Sequence, residues 1–259
     1  MSEAMSTATA PTTTKAALVT GASTGIGAAT VRALRGRGWK VYAVARRVER
    51  LQALAAETGA IALSADITND DDVARLLEHV GADGGIDTLA NIAGGARGAD
   101  PVATAGTGDW EWMLAVNVVG TMKMTRAFLP MLRAHGEGTV LNLTSTAALH
   151  GYEGGGGYNA AKFAQRGMTQ ALRLEEAEHN VRVIEVLPGL VMTEEFALNR
   201  LGDAEAAAKV YAGVAKPLTA DDVADVVSYA LNAPHHVNLD EIVMRPVAQA
   251  SNFKLIRRG

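Results

Sequence analysis

Short β-branched, apolar runs alternate with longer amphipathic or alanine-rich segments along nearly the whole chain, and that alternation leaves few folds open. Seven runs read as strands: Ala16–Thr20, Lys40–Ala45, Ile61–Ser64, Thr88–Asn91, Gly138–Thr144, Val181–Leu187 and Ile242–Met244. Helical spacing covers residues 25–37, 48–58, 70–80, 108–135, 158–179, 193–212 and 220–232. Strands separated by helices of this length require crossover connections, and so a parallel sheet covered by helices on both faces. The expected class is α/β, a doubly wound parallel sheet of about seven strands in a single domain. At 259 residues, with no linker or repeat, the chain suits one domain over residues 15–259.

Composition narrows function by exclusion. Cysteine is absent, which removes disulfides and thiol catalysis and suits a reducing, cytoplasmic location. A formal charge of −4 with no basic block argues against a nucleic-acid partner. No apolar run approaches the length of a membrane span. The six histidines, His235 and His236 among them, lack the acidic or cysteine company of a metal site. Residues 1–14 (MSEAMSTATAPTTT) have no long apolar stretch and read as a disordered leader rather than a secretory signal. The end, Arg245–Gly259, carries Phe253, Leu255 and Ile256 among basic residues, and is expected to pack on the fold or on a partner subunit.

The first strand runs directly into Thr20-Gly21-Ala22-Ser23-Thr24-Gly25-Ile26-Gly27 and then a helix. Glycines at such a bend let the backbone turn tightly and approach a pyrophosphate, which the helix N-terminus attracts. The motif is that of a Rossmann-type dinucleotide site, although Gly21 also serves as an ordinary helix-entry turn. Where an acidic residue would hold a ribose 2′-hydroxyl stands Ala45, followed by Arg46 and Arg47. A planar guanidinium suits a 2′-phosphate, and two arginines opening a helix oppose its macrodipole unless an anion compensates. NADP(H) is the cofactor this pattern favours.

Tyr158 and Lys162 stand four residues apart, which on a helix puts them on one face with Cβ atoms about 5–6 Å apart. A lysine cation that close favours the phenolate and lowers the tyrosine pKa from its usual value of about 10. Such a tyrosine can exchange a proton with an alcohol or carbonyl near neutral pH. The pair alone is common on solvated helices; its company is Asn117 and, thirteen residues upstream of Tyr158, Ser145.

With these motifs, and with Asp66, Asn91-Ile92-Ala93-Gly94 and Pro188-Gly189 followed by Thr193, the chain resembles the short-chain dehydrogenase/reductase family over essentially its whole folded length. One departure is Ile92, where the family pattern has a second asparagine. The resemblance implies that Tyr158 is the general acid or base, that Ser145 donates to the substrate oxygen, that Lys162 tunes Tyr158 and holds the nicotinamide ribose, and that Asn117 positions a water linking Lys162 to solvent. It implies cofactor contacts from Gly21, Ser23, Thr24, Gly25, Ile26 and Gly27, from Arg46 and Arg47, and from Ile67, Asn91, Ala93 and Gly94. Pro188, Gly189, Val191 and Thr193 join them, closing over the nicotinamide. Asp66 reads either as an adenine contact or as the N-cap of the next helix. Family members are commonly tetramers, here through helices near 108–135 and 158–179.

Within the family the similarity is greatest to NADP-dependent 3-hydroxy acid dehydrogenases acting on serine, allo-threonine and 3-hydroxypropionate-like substrates. An antibiotic-pathway aldehyde reductase resembling clavulanate dehydrogenase shares several of the same segments. The expected function is therefore hydride transfer between NADP and a small 3-hydroxy acid. The alternatives are an aldehyde or ketone reductase of secondary metabolism and a non-catalytic NADP-sensing regulator. Residues 193–212 are expected to form a lid, on which Arg200 is either a carboxylate clamp or a surface residue. Arg97, Tyr152 and Glu153 are further substrate candidates by position.

Overall fold

The protein, described over residues 15–258 by a computed structural model, alternates strands and helices from the first described residues. The leader expected at 1–14 lies outside the described residues. The first half comprises β1 (Ala16–Thr20), α1 (Gly25–Arg35), β2 (Lys40–Ala45), α2 (Val48–Thr58), β3 (Ile61–Ser64), α3 (Asp70–Ala82) and β4 (Thr88–Asn91). The second runs through α4 (Thr107–Leu114), α5 (Thr121–His135), β5 (Thr139–Leu143), α6 (Gly156–Glu176) and β6 (Arg182–Pro188). Beyond it come β7 (Val191–Met192), α7 (Phe196–Leu201), α8 (Ala204–Tyr211), β8 (Leu218–Thr219) and α9 (Ala220–Asn232). The chain closes with β9 (Glu241–Met244), β10 (Gln249–Ser251) and β11 (Lys254–Leu255).

Seven strands form one sheet in the order β3-β2-β1-β4-β5-β6-β9, every neighbouring pair parallel. The chain lays down β1, β2 and β3 in one direction, then crosses to the other side of β1 to continue with β4. That reversal is the switch point at which a crevice opens beyond the carboxyl ends of the strands. Strand β1 shows why such strands are apolar throughout: Ala17 and Val19 enter the layer packed by α1 and α9, and Leu18 enters the opposite layer with Phe128 of α5. Most strand bounds fall within a residue of those the sequence predicts.

Two predicted helices do not run as single helices. The stretch 108–135 passes through a π-helical turn at Ala115–Gly120, which separates α4 from α5 and contains Asn117. The stretch 193–212 breaks after Leu201, because Gly202 adopts a left-handed φ of 67° and the Asp203 side chain accepts from the Ala206 N–H to start α8. In addition α6 begins at Gly156, two residues earlier than its tyrosine.

At the switch point the Thr20 hydroxyl accepts hydrogen bonds from the Ile92 and Ala93 N–H groups, each at 3.0 Å. Ile92, the residue that departs from the family pattern, turns its side chain into the apolar layer and is 8% exposed. A Thr20→Val substitution preserves shape and leaves two buried donors without an acceptor. It should destabilise the fold by about 1–3 kcal/mol, read as a lowered urea midpoint at constant m-value; an unchanged midpoint would show the hydroxyl to be dispensable.

Candidate active site

The crevice widens into a cavity of about 790 Å³ lined from the glycine-rich loop at one end to the start of α6 at the other. Gly21 has a left-handed φ of 70°, and a Cβ there would lie 2.9 Å from the Ala93 backbone. A Cβ at Gly27 would collide with the Gly21 carbonyl, so the loop closes onto α1 only with glycine at both positions. Ser23, Thr24, Gly25 and Ile26 face the cavity. No acidic side chain occupies the first turn of α1, and the Thr24 hydroxyl is buried without a partner. Free helix N–H groups beside an unpaired hydroxyl and a glycine cradle fit a dinucleotide pyrophosphate.

At the end of β2 three arginines converge. Arg47 donates to Ser23 Oγ at 3.0 and 3.2 Å and to Glu195 Oε1 at 2.8 Å. Arg50 lies 3.3 Å from Glu194 and 3.1 Å from Glu195, and Arg46 lies 3.7 Å from Asp66. Asp66 lines the cavity beside Ile67, with its carboxylate accepting from the Thr68 N–H and hydroxyl. Burial raises the Asp66 pKa, but the Thr68 hydrogen bonds and Arg46 outweigh it and hold the carboxyl below its usual value. The N-cap of α3 is Asn69, which accepts from the Asp72 N–H, so that alternative for Asp66 is set aside.

Toward the other end stand Ser145, Tyr158 and Lys162. Ser145 follows β5 in extended conformation, donating to the Pro188 carbonyl at 3.3 Å and accepting from the Ala147 N–H at 3.1 Å. Tyr158 is buried in the first turn of α6, edge-on to Phe196 with ring centroids 5.8 Å apart. Burial pushes its phenol above the ordinary value and Tyr152 adds to this; the Ser145 hydroxyl and the Arg200 guanidinium pull the other way. Lys162 donates to the Leu143 carbonyl at 3.2 Å and to Gln165 Oε1 at 2.8 Å, its Nζ 5.8 Å from the Tyr158 ring centroid. Burial drives Lys162 down to about 7, against the opposing charge of Glu185. Desolvation is the first cause in both groups and opposes the lowering of Tyr158 that the sequence reading expects of Lys162.

Pro188, Gly189, Val191 and Thr193 line the cavity over Ala93 and Gly94, with Thr193 packed near Gly25. Three other sequence assignments require correction. Asn91 lies behind the cavity wall, its amide donating to Asn142 at 2.9 Å and Thr125 at 3.1 Å. Asn117 is also behind it: its amide donates to the Gly95 and Met113 carbonyls while its Oδ1 accepts from the Gly95 N–H. Glu153 is exposed outside the cavity, because the turn at Gly154 (φ 68°) sends Tyr152 inward and its neighbour outward.

Arg200, on α7, lines the cavity 5.9 Å from the Tyr158 ring centroid. It donates to the Gly98 carbonyl at 3.2 Å, the Tyr152 hydroxyl at 3.0 Å and the Gly154 carbonyl at 2.9 Å, leaving two of its five N–H groups free. Arg97 stacks over Trp112 at 4.0 Å and has no acidic partner among the described residues. The sequence reading missed Gln165, which sits one turn beyond Lys162 on the same helix face and was detectable by that spacing. It also missed Gln249 and Asn252, which reach the cavity from the C-terminal hairpin. Gln249 Oε1 accepts from the Leu190 N–H at 2.7 Å, and Asn252 donates to the Thr146 carbonyl at 2.8 Å. No local pattern marks either one.

Residues 15–202 match the family model described as short chain dehydrogenase. An uncharacterized oxidoreductase of Mycobacterium tuberculosis is 47% identical over 92% of this chain and 93% of its own length. An NADP-dependent 3-hydroxy acid dehydrogenase of Salmonella typhi is 38% identical over 90% of this chain and 95% of its own. Among solved structures, the closed form of serine dehydrogenase complexed with NADP⁺ superposes with a TM-score of 0.88 at 36% identity, covering 94% of this chain and all of that one.

The Lys162 environment is testable without substrate. Its amine should be charged below, and neutral above, a midpoint of about 7, well under the usual 10.5. A ¹³Cε-resolved lysine titration should show one resonance shifting near neutrality, absent from Lys162→Met; titration in the ordinary range would contradict the desolvation argument.

Proposed function

The chain belongs to the short-chain dehydrogenase family, and from that premise we propose that it interconverts a small 3-hydroxy acid and its 3-oxo acid with NADP(H). The observation that carries this reading is one cavity with an arginine-flanked glycine cradle at one end and Ser145, Tyr158 and Arg200 at the other. NADP(H), when bound, supplies or accepts the hydride at its nicotinamide ring.

The protein's own groups handle orientation and the proton. In reduction, the Ser145 hydroxyl turns from the Pro188 carbonyl, its long 3.3 Å partner, to donate its one proton to the substrate oxygen as negative charge develops there. Tyr158, kept protonated at neutral pH by its buried position, gives that oxygen a proton. In oxidation Tyr158 takes the proton, and Arg200 and Ser145 favour the phenolate that must form first. Behind them Lys162 joins Gln165, which donates to Thr121 Oγ1 at 3.4 Å, and Thr121 donates to the Asn117 carbonyl at 2.9 Å. Asn117 thus takes part through its main chain, in a line of polar groups that holds Lys162 in place beside Tyr158.

For the substrate carboxylate, Arg200 has the needed proximity to Tyr158 and two free N–H groups. The same engagement of Arg200 supports a second reading, an aldehyde or ketone reductase whose substrate carries no acid. The proposal includes a cytoplasmic homo-tetramer joined through α6 and through α4 and α5 with the π-turn between them, a surface on which Leu114, Val119, Phe163 and Leu174 are exposed. No described helix is long and apolar enough to cross a membrane.

A Tyr158→Phe variant should lose about 10²–10⁴-fold in turnover while still binding NADPH; undiminished turnover would remove Tyr158 from the mechanism. A panel of 3-hydroxy acids against neutral alcohols, assayed with NADP⁺, decides between the two substrate readings. Arg200→Lys keeps the charge and loses the planar fork, so the KM for a 3-hydroxy acid should rise about tenfold or more, with little change for a neutral alcohol. Equal effects on both would reduce Arg200 to a structural anchor.

A further inference from the structure

The two ends of the cavity are joined by one short segment, Thr193–Phe196. Within it Glu195 puts a single carboxylate oxygen on two guanidinium groups, 2.8 Å from Arg47 Nη1 and 3.1 Å from Arg50 Nη2. The adjoining Phe196 packs edge-on against Tyr158. Arg47 holds Ser23 of the glycine-rich loop at the same time. One oxygen received by two arginines is an arrangement in which guanidinium groups also receive phosphate. The three arginines 46, 47 and 50 are matched by Asp66, Glu194 and Glu195, so their charge is already balanced by the protein itself. The Arg47 hydrogen bond, ahead of an opposing burial effect, holds the Glu195 carboxyl below its usual range, so it is an anion at neutral pH. A second anion brought to Arg47 and Arg50 must either displace that carboxylate or lie against a like charge.

We propose that Glu195 is an internal stand-in for the cofactor's 2′-phosphate: it competes with that phosphate for Arg47 and Arg50 and so limits how far NADPH is preferred over NADH. The inference rests on the NADP(H) reading above. Exchange of the carboxylate for the phosphate also frees the segment that presses Phe196 onto Tyr158, which links cofactor choice to the far end of the cavity. Glu194 serves as the internal control, because its side chain is 74% exposed and reaches only Arg50, at 3.3 Å.

The test needs no substrate. NADPH and NADH are titrated separately into the full-length protein and its Glu195→Gln and Glu194→Gln variants, following nucleotide fluorescence, with thermal melts confirming that each variant is folded. Removing the competing charge at 195 should tighten NADPH about tenfold and leave NADH nearly unchanged, with a much smaller effect at 194. If Glu195→Gln weakens NADPH, or leaves the ratio of the two dissociation constants unaltered, the carboxylate only orients the arginines and the proposal is overturned. If the unaltered protein binds NADH more tightly than NADPH, the cofactor reading fails first, and the proposal falls with it for that separate reason.

Discussion

The contact between the ends of β1 and β4 is the joint on which the cavity depends. Thr20 takes up the N–H groups of residues 92 and 93, and Gly21 lets the backbone pass within van der Waals distance of Ala93. Neither could be replaced by a larger or apolar residue without opening the switch point. Because Gly27 packs on the Gly21 carbonyl, the axis of α1 is fixed by the same joint, and its free N–H groups are directed at the crevice. The direction of one helix and the floor of the cavity are thus set by contacts spanning only a few atoms.

Behind the cavity wall runs a seam of buried polar groups that an apolar core would not predict. Asn91 donates to Asn142, Asn142 donates to Thr169, and Thr121, Thr125 and Thr169 each return a hydroxyl to the carbonyl four residues earlier in their helices. Gln165 joins this seam to Lys162. The seam ties β4 and β5 to α5 and α6 by directional bonds, and so fixes the rotation of α6 that aims Tyr158. Asn91 Oδ1 alone in this seam is left without a partner, and breaking any of the bonds that are made would add further buried unpaired groups at a cost.

Much of this was legible in the sequence. The doubly wound parallel sheet of about seven strands follows from the alternation, and Tyr158, Ser145, Lys162, the glycine-rich loop and the arginines at 46 and 47 all line one cavity. What escaped is what tertiary context decides. The spacing of Tyr158 and Lys162 is visible in sequence, but their shared desolvation is not, and it opposes the effect that a local Coulomb argument expects. Asn91 has the type and position of a ligand contact, yet its partners come from β5 and α5. The break at Gly202 was readable as a helix stop; the π-turn at Asn117 was not, because nothing in Ala115–Gly120 forbids an ordinary helix.

The C-terminal hairpin shows how far the site reaches along the chain. Gln249 accepts from Leu190 and lies so close to Gly189 that any side chain there would collide with it. Asn252 donates to Thr146 and His150 carbonyls, one residue and five residues past Ser145. Arg257 then donates to the Val210 carbonyl at the end of α8, and the Arg258 N–H to the Gly213 carbonyl just beyond it. The loops on either side of the cavity, after β5 and after β6, are therefore held by the same few terminal residues. Loops are the least constrained parts of an α/β sheet, and here two of them acquire their geometry from a hairpin about a hundred and about sixty residues distant in sequence. The placement of Ser145 opposite Pro188 is a property of the completed chain rather than of either strand that carries them.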